Sequence, residues 1–174
     1  MKKYRISIPL PPHAKGRGRA VRFGNKTRVI TPSETRNYEA IVADLASGAV
    51  GSLLLAGPLS VKIWAVFPRT KEQSRILKKT GRPKHSPDFL WATKSRQDVD
   101  NISKTILDAL NGVAWLDDRQ VVDLEIHKVI AEMVETADGW KSGAGRVEIQ
   151  IAEYSNEIGF FEPPLWCRGG SRGD

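Results

Sequence analysis

Acidic side chains with the spacing of a metal site occur in the stretch SRQDVDNISKTILDALNGVAWLDD, residues 95–118. Asp98 and Asp100 stand on either side of one valine. In an extended segment alternate side chains share a face, so the two aspartates are expected to project together while Val99 turns toward the core. Two close carboxylates are best neutralised by a hard divalent cation bound through oxygen. The pair therefore predicts a Mg²⁺ site, in which Mn²⁺ could substitute.

A second acidic pair, Asp117 and Asp118, closes the same stretch. It follows a helix-like run and precedes a strand-like run, so the chain could return it beside the first pair. Plainer interpretations stay open for both pairs. Asp100 could cap the next helix with Asp98 as a surface charge, and the second pair could form an acidic turn in which Arg119 pairs with one carboxylate. The predicted metal ligands are Asp98, Asp100, Asp117 and Asp118.

Spacing excludes a calcium loop and disfavours an aspartyl nucleophile. A calcium loop needs a third oxygen ligand at its fifth position and then a glycine, but Ile102 and Ser103 stand there. An aspartyl nucleophile would end a buried hydrophobic strand, whereas the polar TKSRQ precedes Asp98. What remains is a carboxylate and metal site that acts on water.

Lys104 lies one helical turn after Asp100, where its ammonium could stabilise negative charge on a phosphoryl group. The alternative is a helix-surface ion pair with Asp108, four residues further on. The three histidines of the chain show no metal-ligand spacing and receive no catalytic role.

The composition favours a polyanionic partner. Lys and Arg number 27 against 20 for Asp and Glu, a net charge of +7, which favours nucleic acid first, a membrane surface less, and leaves a merely solvated basic surface open. Cys167 is the only cysteine, which fits a reducing compartment and predicts the cytoplasm. No run of residues reaches the length of a signal peptide or a membrane span, so no membrane partner is expected.

A loop rich in basic residues and glycine, HAKGRGRAVRFGNKTRVI, precedes the first predicted helix. Its apolar residues lack helical periodicity, so it is expected to be a flexible loop or an irregular hairpin. Its charge indicates contact with solvent or phosphate. The predicted DNA-binding residues are Lys15, Arg17, Arg19, Arg22, Lys26 and Arg28.

The elements that must position these residues follow the order strand, helix, strand, helix, strand, strand. Alternating apolar residues predict the strands KYRISIPL, LSVKIWAVFP, VVDLEIHKVIAE and GRVEIQIAE, with a hairpin loop, TADGWKSGAG, between the last two. The first helix is expected to start with Thr31 as N-cap and Pro32 as first residue, and to stop at Gly48. Ile102, Ile106 and Leu110 predict the second helix. Residues 69–96 form a long basic excursion with room for one short helix, and residues 153–174 an irregular tail.

A family resemblance rests on the acidic stretch. DVDNISKTILDALNGVAWLDDRQVVDLEIHK resembles the signature of the RusA family of Holliday junction resolvases, or crossover junction endodeoxyribonucleases, which runs D-x-D-N, a lysine-bearing helix, D-A-L and W-x-D-D-x-Q-V. Upstream, KGRGRAVRFGNKTRVITPSETRNYE resembles the family's basic loop and its T-P-x-x-T-x-x-Y-E run. Arg96 and Gln97 stand where many relatives have Lys-Pro, a change expected to affect loop shape more than chemistry. The likeness spans residues 1–152, the predicted endonuclease domain.

The resemblance implies a single α+β domain with a mixed sheet packed by two main helices. It also implies a homodimer that cuts four-way DNA junctions with Mg²⁺, often encoded by a phage or prophage. An apolar strand, such as VKIWAVF or VEIQI, is expected to form the dimer interface. A junction-binding protein without catalysis, and a nuclease for other branched DNA, stay open as alternatives. Carried across by position, the catalytic residues would be Asp98, Asp100, Asp118 and Lys104.

Overall fold

The computed structural model describes residues 3–51 and 54–154, which form one α+β domain. It has two α-helices, α1 (Ser33–Val50) and α2 (Val99–Leu110), and one short 3-10 helix (Asp118–Gln120). The strands are β1 (Lys3–Ile8), β2 (Arg19–Phe23), β3 (Lys26–Ile30), β4 (Leu59–Phe67), β5 (Leu90–Trp91), β6 (Val121–Ile130), β7 (Met133–Thr136), β8 (Gly139–Ser142) and β9 (Arg146–Glu153).

Five strands form a mixed sheet in the order β1-β9-β4-β6-β5. β4 and β6 run parallel, and the other neighbouring strands pair antiparallel. Parallel neighbours need a long crossover connection, and the segment containing α2 supplies it between β4 and β6. The predicted mixed sheet with two main helices is confirmed.

The core lies between one face of this sheet and the two helices. Alternate residues of the strands point into it, as the sequence pattern predicts: Ile6 and Ile8, then Val61 and Ile63, then Ile149 and Ile151. From the helices Val42, Ala46, Ile106 and Leu110 pack against them. Trp115 is fully buried behind the end of α2, and its indole Nε1 donates to Asn111 Oδ1 at 2.8 Å. Within the part of the chain that the structure describes, the opposite face of the sheet carries no helix.

The predicted ends of α1 are wrong, by one residue at the start and by two to three residues at the end. Pro32 has ψ 146°, which is an extended conformation, so it occupies the N-cap position and the helix begins at Ser33. Thr31 is therefore not the cap, and no side chain caps this helix. At the other end the helix continues through Gly48 to Val50, and Gly51 ends it with φ 78°. With ψ −161° this backbone conformation is open to glycine and strained for a residue with a Cβ, so glycine suits the position.

The basic loop contains a hairpin, formed by β2 and β3, that belongs to no other sheet. A second two-stranded hairpin, β7 and β8, lies in the connection between β6 and β9. The predicted hairpin between β6 and β9 is wrong, because both strands pair with β4 from opposite sides. Because β4 is apolar and has two edges, β6 and β9 can each form backbone hydrogen bonds with one edge of it.

Residues 70–89 contain no helix, and a buried arginine holds this excursion together. The guanidinium of Arg69 donates to five backbone carbonyl oxygens, those of Gln73, Ser86, Pro87, Asp88 and Ala131, at 2.6–3.3 Å. Arg69 is thus a side chain around which the loop is folded.

The predicted tail falls largely outside the described residues, which end one residue after β9. Glu153 is the last residue of β9, and the Tyr154 backbone N donates to the Pro58 carbonyl at 2.9 Å. Among the described residues, neither helix combines the length and the apolar character that crossing a bilayer requires.

Candidate active site

The first acidic pair lies at the start of α2. Asp98 is the N-cap with extended backbone angles, φ −83° and ψ 149°, and Asp100 lies in the first turn. The expected extended alternation is wrong, because the helix already begins at Val99, whose side chain is 44% exposed rather than in the core. Asp98, not Asp100, occupies the cap, and its side chain makes no capping hydrogen bond. Both carboxylates are exposed, beside the positive end of the helix dipole.

The chain leading into Asp98 is fixed to β6 by a lysine. Lys128 Nζ donates to the carbonyl oxygens of Ser95, at 3.4 Å, and Gln97, and the Lys128 carbonyl accepts from Ala92 N at 3.1 Å. Lys128 lies near the C-terminal end of β6. The first acidic pair is thereby held at that end of the strand.

The second pair begins the 3-10 helix, and its two members differ. Asp117 caps this helix: its Oδ1 accepts from Arg119 N at 3.0 Å, and its two oxygens accept from Arg119 Nε and Nη2 at 2.8 Å each. These hydrogen bonds lower the pKa of Asp117 from 3.8 to about 2. The acidic-turn interpretation is thus realised for Asp117. Asp118 makes no ion pair within 4.0 Å with any described residue.

The two pairs lie at opposite ends of α2. Asp98 precedes its first residue, and Asp117 and Asp118 follow the tight turn after Leu110, next to the start of β6. A helix of 12 residues is about 18 Å long. Within residues 3–51 and 54–154, no three His, Cys, Asp or Glu side chains are placed to hold a metal ion together. The expected return of the second pair beside the first does not occur within one chain.

Lys104 is exposed on α2, between the two ends. It does not pair with Asp108 as the surface-pair alternative required, because Asp108 forms an ion pair with Lys15 instead. No described carboxylate forms an ion pair with Lys104. Its ammonium is therefore available to an anion outside the chain.

The six basic residues of the predicted DNA contact divide into two groups. Lys15 is structural: its ammonium pairs with Asp108 of α2 and lies 3.6 Å from Glu39 Oε1 of α1, and its backbone N donates to Asn101 O at 3.0 Å. The other five are exposed, at the base and on the strands of the hairpin. The register puts Arg19, Lys26 and Arg28 on one face of the hairpin and Arg22 on the other.

One edge of the sheet remains open beside α2. β6 pairs with β4 along its length, but on its other side the described residues pair only near its C-terminal end, where β5 meets Val129 and Ile130 and Ala92 N donates to the Lys128 carbonyl. Leu124, in register with the core residue Val61, is 41% exposed, and Val122, which lies at a register irregularity between Val121 and Asp123, is 64% exposed. The two strands expected to form a dimer interface, β4 and β9, are inner strands paired on both sides, so neither offers its edge.

Sequence comparison adds an independent finding. The family described as Endodeoxyribonuclease RusA matches residues 9–152. Uncharacterized protein YqaN of Bacillus subtilis strain 168 is 32% identical over 144 residues, covering 83% of this chain and 92% of that protein. The crossover junction endodeoxyribonucleases RusA of Enterobacteria phage 82 and of Escherichia coli strain K12 are each 29% identical over 158 residues, covering 90% of this chain and 100% of theirs.

Proposed function

The chain belongs to the RusA family of endodeoxyribonucleases, and from this membership we propose that it hydrolyses DNA at four-way (Holliday) junctions in the cytoplasm, by paired nicks in opposed strands. The observation that carries the proposal is the state of the three aspartates at the two ends of α2. Asp98, Asp100 and Asp118 remain exposed or half-exposed and without an ion pair among the described residues, in a chain of net charge +7. Carboxylates that served only to balance surface charge would be paired with some of that excess.

These three aspartates have the donor chemistry of a magnesium site. Mg²⁺ and Mn²⁺ prefer carboxylate oxygen, and exposed carboxylates that are not committed to caps can provide it. When bound, the ion supplies an activated water and positive charge at the scissile phosphate. Asp117 differs, because Arg119 already occupies both of its oxygens. We assign Asp117 to positioning Asp118 rather than to the metal.

The site is completed by a second copy of the chain. Asp98 and Asp100 lie at one end of α2 and Asp118 lies at the other end. A single chain therefore cannot bring its own three carboxylates to one metal ion. An isologous homodimer turns this separation into two equal sites. Each site then holds Asp98 and Asp100 of one subunit and the partner's Asp118.

The open edge of β6 fits this arrangement. Two β6 edges that meet antiparallel about a two-fold axis place the start of one strand beside the end of the other. Asp118 precedes the start of β6, and Lys128 near its end holds the segment that leads into Asp98. Exposed Val122 and Leu124 would be covered in the same contact.

The remaining residues act on the DNA itself. Lys104, exposed between the two ends of α2, stabilises the charge that develops on the phosphate. Arg17, Arg19, Arg22, Lys26 and Arg28 hold the backbone of one arm, and their contacts weaken as salt rises. Lys15 contributes by fixing the base of the hairpin to α1 and α2.

The test is cleavage of a synthetic four-way junction with and without Mg²⁺, beside a linear duplex of the same sequence. Wild type should cut only the junction and only with the metal, and Asp100→Asn should bind the junction without cutting it. Asp44→Asn is the matched control, since Asp44 is an exposed aspartate on α1. A wild-type protein that binds the junction and never cuts it would be an architectural protein, and equal cutting of flaps would indicate a broader nuclease.

A further inference from the structure

The face of the sheet without helices carries a row of aromatic rings. Trp64 of β4 and His127 of β6 are direct neighbours in register, and their rings stack with centroids 5.9 Å apart and planes at 23°. Trp91 of β5 continues the row, 6.2 Å from His127, and is 68% exposed. Three ring systems thus form a step-like surface across three strands.

Cationic side chains border this row. The Arg146 guanidinium lies 5.7 Å from the Phe89 ring, and it is held there by Glu132 at 3.2 Å and Glu148 at 3.3 Å. Arg5 of β1 is exposed and makes no ion pair within the described part of the chain. Together these residues enclose an open trough of about 630 Å³, lined by Arg5, Trp64, Phe89, Trp91, His127 and Arg146.

The trough is separate from the proposed catalytic site but connected to it by a short segment. Phe89 and Trp91 lie on the trough, and seven residues later the same segment reaches Asp98 at the start of α2. Lys94 and Arg96, between them, are both exposed. The segment between the aromatic row and the proposed catalytic acids therefore carries two exposed cations.

We infer that this trough binds unpaired bases of the DNA substrate by stacking. The inference rests on the proposed function, which makes DNA the ligand of this chain. Aromatic side chains interleaved with cations form the usual platform for single-stranded nucleic acid, because every base has a flat face and every phosphate a negative charge. A branched substrate offers such bases wherever pairs open at its branch point.

A second copy of the chain fits this face less well. Charged and polar side chains lie beside the aromatic row on the same face, including Lys62 and Glu125, which pair with each other, and Ser7, which donates to Glu148. A subunit interface concentrates apolar residues at its centre, whereas this face mixes rings with charges. Arg5, which forms no ion pair with a described residue, can instead bind a phosphate group.

The experiment measures binding of a single-stranded oligothymidylate in EDTA, where no cutting occurs, by anisotropy of the labelled DNA and by tryptophan fluorescence. Trp91→Ala should lower this affinity about tenfold, leave duplex affinity unchanged and remove part of the quenching, while Trp91→Phe should retain binding. An oligonucleotide of abasic sites should bind wild type at least as weakly as the ordinary one binds Trp91→Ala, because it can stack on none of the three rings. Trp140→Ala, on the separate β7–β8 hairpin, is the matched control.

Unchanged oligothymidylate affinity in Trp91→Ala would overturn the inference. A shift of that variant from dimer to monomer in sedimentation would also overturn it, since the face would then cover a second copy. Because the measurement needs no metal and no cleavage, its result is independent of whether wild type resolves junctions. Wild-type cutting with no effect of Trp91→Ala on single-strand binding would remove only this inference.

Discussion

Two inactive variants mixed together offer a direct test of a site shared between two subunits. Asp100→Asn and Asp118→Asn should each be inactive alone, because every site in either homodimer lacks one carboxylate. In a heterodimer both substitutions fall in the same site, and the other site receives Asp100 from one chain and Asp118 from the partner. That second site is intact, so activity should return.

The recovered activity has an expected size and a distinctive product. Equal amounts that exchange freely form about one half heterodimers, each with one intact site of two, so about a quarter of the wild-type sites return. On a supercoiled plasmid that extrudes a cruciform, wild type should nick both strands within one complex and give linear DNA. A heterodimer nicks once, which releases the supercoiling and reabsorbs the cruciform, so the mixture should stop at open circles.

A matched pair of variants controls for nonspecific recovery. Asp98→Asn and Asp100→Asn remove carboxylates from the same end of α2. Every site of their heterodimer lacks one acid, so this mixture should stay inactive. If the Asp100→Asn and Asp118→Asn mixture, co-refolded to ensure exchange, also stayed inactive, each chain would have to hold its own three acids, and the reasoning from the length of α2 would be refuted.

Further substitutions test single residues. Lys104→Ala should lower turnover at saturating junction by about 100-fold without changing the melting temperature, and a loss of affinity alone would make Lys104 a phosphate-positioning residue. Asp117→Asn should lower the melting temperature at neutral pH. The pKa of Asp117 is lowered from 3.8 to about 2 in the folded protein, so its carboxylate stabilises the fold fully above pH 3.8 and loses this effect as the pH falls through about 2. A difference in melting temperature between wild type and variant that persisted below that pH would contradict the capping role. Arg69→Ala should cost about 3 kcal/mol or more in urea unfolding, since five carbonyls lose their donor, and an unchanged midpoint would show that water replaces it. Arg28→Ala should weaken junction binding and reduce its salt slope by about one, and an unchanged slope would place Arg28 away from phosphate.

The parts of the fold that depend on local periodicity were predictable from the sequence. Alternation of apolar residues predicted the bounds of β4 at Leu59 and Phe67, and the spacing of Ile102, Ile106 and Leu110 predicted the buried face of α2. Each pattern reflects the one face that an element buries, and that face is encoded within a few residues.

The parts that depend on partners distant in sequence were not predictable. The surface-pair alternative for Lys104 placed Asp108 beside it, four residues away, but Asp108 meets Lys15, 93 residues away. Likewise β9 was expected to pair with its neighbour in sequence, β6, but pairs with β1 and β4. The distance between the two acidic pairs depends on the direction in which α2 runs between them. The pattern of residue types within the helix does not specify that direction.

The position of β9 has a consequence for synthesis of the protein. β9 is inserted between β1 and β4, with Lys3 opposite Ala152 and Leu59 opposite Glu153. β1, the first strand of the described chain, therefore pairs only with β9, the last strand. On the ribosome, β1 and one side of β4 remain without a partner until residues 146–153 emerge. Such distant pairing folds slowly and exposes apolar edges meanwhile. The five-stranded sheet therefore forms only after β9 has been synthesised. A chain that is released before Arg146 should aggregate and show no nuclease activity.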